Sequence, residues 1–234
     1  MRTKTKNSKN SLQWAIPEEL GVPPDTLRLR LDLFHQAVEM TLFEGDAVES
    51  RMVSALDVAM ALAGELHFSS GLLPENTLWW QNTRAGGVWA IYEPPKVRKV
   101  AILLKVGVPP ERLTVPLPGF IFLCSPGKPP WVYGVRKKPT KEGDKVYKAP
   151  LLNVFENGRS CPGNNEYPQR VNNIIENFFV SFFSHAGEVS GRSQKFPNDV
   201  HLLWRHLNGK HHFPMDDMVD HGTVSDLIMM GAAE

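Results

Sequence analysis

The chain has 234 residues, 42% of them hydrophobic, enough for one domain with a real core and an N-terminal appendage. A formal net charge of +1 excludes bulk electrostatic attraction to nucleic acid or to a membrane surface. Two cysteines, Cys124 and Cys161, cannot build a disulfide framework, which fits a reducing cytoplasm.

The first 24 residues read as an irregular, solvated lead-in. Arg2, Lys4, Lys6 and Lys9 make it basic, Pro17, Pro23 and Pro24 break it, and no apolar segment marks it as a secretory signal. From Thr26, L-R-L-R-L-D-L alternates with period two and predicts a half-buried strand. A second extended segment, Val38 to Phe43, pairs with it, giving an N-terminal β extension over 25–53. Ser54 and Asp57 form an S-x-x-D cap for a helix carrying Leu56, Met60 and Ala63 on one face and stopping at Gly64. That helix opens the main domain, 54–234.

After Pro74 the pattern turns to strands. Thr77–Gln81 and Val88–Tyr92 flank a hairpin turn at Arg84-Ala85-Gly86-Gly87. Pro94-Pro95 interrupts, and Val97–Leu104 resumes. A connection with Pro109, Pro110 and Pro116 leads to Phe120–Cys124, and Trp131–Arg136 follows. The expectation is a four-stranded antiparallel meander. The second half reads as helical. Val171, Ile174, Ile175, Phe178, Phe179, Phe182 and Phe183 form one apolar stripe, cut off near Gly187. Asn198 caps a helix with Val200, Leu203, Trp204 and Leu207 on one face, ending at Gly209. Thr223 with Asp226 caps a last short helix, Val224–Met230. The class is α+β. No apolar run is long enough to span a membrane; Gly119–Cys124 and Phe178–Phe183 are far too short.

Between strands and helices lies Y-K-A-P-L-L-N-V-F-E-N-G-R-S-C, Tyr147 to Cys161. Val146 and Tyr147 are extended, and Asn157-Gly158 supplies the positive φ of a tight reversal. Cys161 follows that turn among Gly158, Arg159, Gly163 and Asn164, a polar loop where a thiol stays reachable. Cys124, inside F-I-F-L-C, reads as a small buried hydrophobe.

N-V-F-E-N-G-R-S-C resembles the active-site run of the ubiquitin-conjugating enzymes: an asparagine, an aliphatic, an aromatic, a turn with glycine and a basic residue before the catalytic cysteine. The stretch from about Glu75 to Gly231 is similar to the prokaryotic branch, PRTRC system protein B and the conjugating component of bacterial antiviral ubiquitin-like operons. Leu151-Leu152 stand where the eukaryotic pattern has His-Pro, Ser160 replaces an aliphatic residue, and Pro162 follows the cysteine. Helix, strands, cysteine loop, helices is also the order of the ubiquitin-conjugating fold.

The resemblance implies that Cys161 carries a ubiquitin-like modifier as a thioester. It would receive the modifier from a ThiF-like activating enzyme and pass it to an amine on a target protein. A thiolate suits both steps, being nucleophilic and a good leaving group. Asn153, by the same resemblance, either stabilises the oxyanion or braces the loop; an amide fits both, and a turn residue bonded to its own backbone is a third reading. Nothing resembles a phosphate loop, so no cofactor belongs to this chain and ATP belongs to the activating partner.

His185, His201, His206, His211, His212 and His221 resemble a metal set only at first sight. His201 and His206 lie on different helix faces, and no Cys or carboxylate sits at ligand spacing. His185 either approaches Cys161 or caps helix carbonyls. The segment holding Arg136, Lys137, Lys138, Lys141, Lys145 and Lys148 reads as a solvated loop, as does Arg159. Two other functions compete: a non-catalytic interaction module, and a Cys-His hydrolase using His185 as base.

Overall fold

A computed structural model describes residues 29–34, 37–59, 70–83, 86–105, 107–163, 165–184 and 189–233. The chain divides into two compact units, 1–70 and 71–234.

In the first unit the alternating leucines form β1 (Leu29–Leu33), paired antiparallel with β2 (Val38–Glu44), Leu29 opposite Leu42. A third strand, β3 (Ala47–Val53), pairs with β2 across a turn at Gly45, whose φ is 62°. It is solvent-facing almost throughout, so its side chains carry no hydrophobic period and only backbone pairing reveals it. Ser54 Oγ accepts the Asp57 N–H at 3.0 Å, and residues 55–59 are helical (α1). Met60, Ala63 and Gly64 lie outside the described residues.

The second unit contains β4 (Thr77–Thr83), β5 (Gly86–Glu93), β6 (Lys96–Ile102), β7 (Glu111–Leu117), β8 (Gly119–Cys124), β9 (Trp131–Val135), β10 (Lys145–Lys148) and β11 (Asp220–Thr223). The expected hairpin joins β4 to β5 with Thr83 opposite Gly86; Arg84 and Ala85 lie outside the described residues. The expected four-stranded meander needs correction. The sheet has six strands in the order β11-β10-β9-β8-β5-β4, while β6 leaves it to form a separate ribbon with β7. In the sequence β7 reads as a connection, because Pro109, Pro110 and Pro116 mask it. Beneath those prolines, Leu113, Val115 and Leu117 keep period two and are buried. Pro116 sits opposite Val97 in a two-stranded ribbon, the edge setting where proline is tolerated.

Both faces of the main sheet are covered. One packs Phe120, Phe122 and Cys124 against Phe178, Phe179, Leu203 and Trp204; the other packs Ile121, Leu123 and Tyr133 against Val224 and Leu227. All six residues of β8 are therefore buried, which is why its sequence is a continuous apolar run.

The phenylalanine stripe is also shorter than expected. A 3-10 turn, Val171–Asn173, leads into α2 (Ile174–Val180), and Ser181 is already extended, with ψ 157°. Periodicity predicts continuation, but the backbone of the next residues is claimed elsewhere. The Phe183 N–H donates to the Ala101 carbonyl at 2.8 Å, and the Leu103 N–H donates to the Phe183 carbonyl at 2.7 Å. Phe183 is buried, Phe182 is exposed, and Gly187 lies outside the described residues. In α3 (Val200–Leu207) the cap is Asp199, one residue after the expected Asn198; its carboxylate accepts the His201 N–H at 2.8 Å. The chain leaves this helix by Gly209, with φ 77°. Thr223 and Asp226 bond reciprocally ahead of α4 (Val224–Ala233). Among the described residues, no helix is long and apolar enough to cross a membrane.

Candidate active site

Beyond β10 the chain is pinned from below. Leu151 and Leu152 are fully buried. Trp204 Nε1 on α3 donates to the Pro150 carbonyl at 2.8 Å. The buried Arg192 guanidinium donates to the Val154 carbonyl at 2.6 Å and to that of Ala149 at 3.3 Å. The leucines that replace His-Pro thus act as core anchors, and the arginine ties both ends of the segment they belong to.

Asn153 sits between those ties at φ 61°, a left-handed conformation that asparagine adopts more readily than most residues. Its carboxamide Nδ2 donates to the Phe182 carbonyl at 2.9 Å. Its Oδ1 accepts from the Ser184 N–H at 2.8 Å and from Ser184 Oγ at 3.1 Å. Its own carbonyl accepts the Cys161 N–H at 2.6 Å. One residue therefore links the cysteine strand to the segment following α2, and the same bonds help to end that helix early.

The spacing between Asn153 and Cys161 is that of a small hairpin. Val154 bridges Ser160, the Phe155 N–H meets the Arg159 carbonyl at 2.7 Å, and Asn157 Oδ1 takes the Arg159 N–H at 3.1 Å. Gly158 turns the tip with φ 91°, and a Cβ there would lie 2.4 Å from the Tyr133 ring, so the position excludes any larger residue. The hairpin leans on the start of β9. The Val132 N–H donates to the Gly158 carbonyl at 2.7 Å, and the Ser160 N–H and Oγ reach the Pro130 carbonyl at 3.1 and 2.5 Å. Ser160 is buried, and its hydroxyl bond explains how a polar residue fits a position where an aliphatic is usual.

Cys161 emerges partly exposed beside exposed Pro162 and Gly163. Near it lies the buried Tyr167, whose phenol is pushed up to about 12 by burial first and by the Cys161 thiolate second. Cys124 is the opposite case: it is fully buried, and burial pushes its thiol up to about 12. Arg159 is exposed, its guanidinium 5.7 Å from the Trp131 ring. His185 lies outside the described residues.

Beside the cysteine strand opens a cleft of about 880 Å³, lined among others by Lys148, Glu156, Arg159, Ser160, Pro162 and His221. Lys148 Nζ meets Glu156 Oε1 at 2.5 Å and holds that carboxyl below its usual range. Sequence reasoning missed this cleft, the Arg192 tie and the Ser184 contact. Their partners lie far apart in sequence, and no local pattern marks them. His201 is buried against Glu111, Nε2 to Oε2 at 2.9 Å, where Arg205 also binds, so its role is packing. Among the described residues, no three His, Cys, Asp or Glu side chains cluster closely enough to hold a metal ion.

No curated protein and no solved structure matches the chain. A family model does, over residues 51–221, which takes in the last three residues of β3, the strands β4 to β10, the cysteine hairpin and the first two residues of β11. The chain belongs to prokaryotic E2 family D, which points to a role in ubiquitin-like conjugation.

Proposed function

We propose that the chain is a conjugating enzyme whose Cys161 carries a ubiquitin-like modifier as a thioester, with residues 54–234 as the catalytic domain. The modifier comes from a ThiF-like activating enzyme that uses ATP, and it leaves to an amine on a target protein. The observation that carries this reading is a partly exposed thiol at the end of a hairpin whose register is held by Asn153. Asn153 we read as the brace of the site, because its carboxamide is engaged by Phe182 and Ser184. Holding the thiol against solvent-driven wandering favours attack on a docked thioester, since orientation is a large part of any acyl transfer. We place the protein in the cytoplasm, where thiols stay reduced, and in an operon of the PRTRC or antiviral type, which neighbouring genes for a modifier, a ThiF-like enzyme and a JAB-type peptidase would identify.

The test is reconstitution. With modifier, activating partner and ATP, the protein should form an adduct that thiol reductant removes and that Cys161→Ala cannot form. No adduct, or an adduct that survives the substitution, overturns the reading.

A further inference from the structure

We propose that the Tyr167 hydroxyl donates a hydrogen bond to the carbonyl oxygen of the acyl group on Cys161, and so stabilises the negative charge which that oxygen takes on as an amine attacks. This rests on the reading of Cys161 as acyl carrier and names a further catalytic residue for the same site.

Cys161 and Tyr167 are the two stems of one loop clamped to one turn. At the first stem the Ser160 N–H and Oγ reach the Pro130 carbonyl. At the second the Gly127 N–H donates to the Pro168 carbonyl at 3.1 Å, and a Cβ on Gly127 would lie 2.6 Å from the Gln169 side chain. Gly127 and Pro130 both belong to the connection between β8 and β9, so the chain leaves that connection at the cysteine and returns to it at the tyrosine. Between the stems the Asn165 N–H closes on the Pro162 carbonyl at 3.1 Å, and Pro162, Gly163, Asn165 and Glu166 are exposed. Tyr167 turns back inward. It is only 9% exposed, in the same core cluster as Val132 of β9 and Val154 of the cysteine hairpin.

A tyrosine buried to this degree usually finds a partner for its hydroxyl. Among the described residues this one has none, so the O–H is open to a ligand. The Cys161 thiolate acts on the phenol, yet no hydrogen bond joins the hydroxyl to the sulfur. Near but not bonded is the placement a thioester requires, because its carbonyl oxygen lies two bonds beyond the sulfur. The Asn153 carboxamide is committed elsewhere, to Phe182 and Ser184. Burial pushes the phenol up to about 12, so it remains an O–H donor wherever a neutral amine attacks. In the step itself the amine nitrogen bonds to the carbonyl carbon, and the carbonyl π pair moves to the oxygen. There the Tyr167 O–H meets it and keeps its proton. As the double bond re-forms, the C–S bond breaks and Cys161 departs as thiolate with the bonding pair. The surplus proton on the nitrogen passes to water.

The experiment needs no partner protein. Purified full-length protein is acylated with the mercaptoethanesulfonate thioester of acetyl-Gly-Gly, and mass spectrometry follows transfer from Cys161 to free lysine at pH 8. Tyr167→Phe removes only the hydroxyl and should transfer ~100-fold more slowly, the usual cost of losing one oxyanion donor. Alkylation of Cys161 by iodoacetamide attacks a saturated carbon and forms no oxyanion, so its rate should change by less than about twofold in the same variant. Equal slowing of both reactions would mean that the hydroxyl merely shapes the thiol, and it overturns the proposal, as does unchanged transfer. A variant that fails to fold also overturns it, since a hydroxyl without a partner in the protein has no structural bond to lose. Failure of Cys161 in the unsubstituted protein to take up the acyl group instead overturns the carrier reading on which the proposal rests.

Discussion

The two cysteines show how one chain makes one thiol inert and leaves another usable. Cys124 ends β8, where both sheet faces are covered and burial pushes the thiol up to about 12. Moving the charged form into that interior is what disfavours it. Cys161 ends a hairpin whose backbone groups are claimed by Asn153, Arg159 and Pro130, while the side chain stays partly exposed. In the first region packing sets the chemistry; in the second, hydrogen bonds fix position and leave the sulfur free. Reactivity here follows from being held by the main chain and not by the side chain.

The widest separation should appear in alkylation. At pH 8 iodoacetamide should label Cys161 alone in the folded protein and both cysteines in denaturant, as peptide mass mapping would show. Cys161→Ala should abolish folded-state labelling and adduct formation. Cys124→Ala should leave both intact and lower stability by only about 1 kcal/mol. Labelling of Cys124 at the same rate would break the comparison. The raised pKa carries a sign as well. Stability from keeping Cys124 neutral is fully present below its ordinary 9.0 and is lost as pH rises from there towards about 12. The melting temperature should therefore fall more steeply above pH 9 in the unsubstituted protein than in Cys124→Ala.

That contrast was legible early, because F-I-F-L-C and N-G-R-S-C differ in the local features that sequence displays: apolar continuity against turn chemistry. What holds Cys161 was less legible. Arg192, Trp204 and Ser184 reach the site from 30 or more residues away, and nothing in G-R-S-Q-K marks an arginine that will be buried under a hairpin. The phenylalanine stripe misled for a related reason. Periodicity reports which side chains want burial, and Phe183 is buried, but backbone partners on β6 and Asn153 override the helix that would have delivered it. β3 and β11 escaped because a short or solvent-facing strand has no period to read, and Asp199 took the cap from Asn198 because both are capping residues in adjacent positions.

A smaller effect should follow from loosening the hairpin without touching its sulfur. Asn153→Ala removes the bonds to Phe182 and Ser184 and forces alanine to a φ of 61°. About 2–4 kcal/mol of stability should be lost by urea unfolding, from buried partners left unmet and the left-handed backbone. Asn153→Gly loses the same bonds but tolerates the φ, so it should recover about 1 kcal/mol of that. Equal losses would mean that the backbone conformation relaxes and that the side chain alone sets the register.

The least effect should come from Arg159, and it decides whether charge adds to the difference between the two thiols. The guanidinium is exposed and lies over Trp131, where solvent screens it. An exposed charge of this kind is worth under about 1 kcal/mol, so Arg159→Ala should slow alkylation of Cys161 by less than ~5-fold at low salt. At high salt the difference should vanish. A loss beyond tenfold that persists in salt would make Arg159 a direct partner of the thiolate. Burial would then account for the inertness of Cys124 while charge, rather than exposure alone, accounted for the reactivity of Cys161.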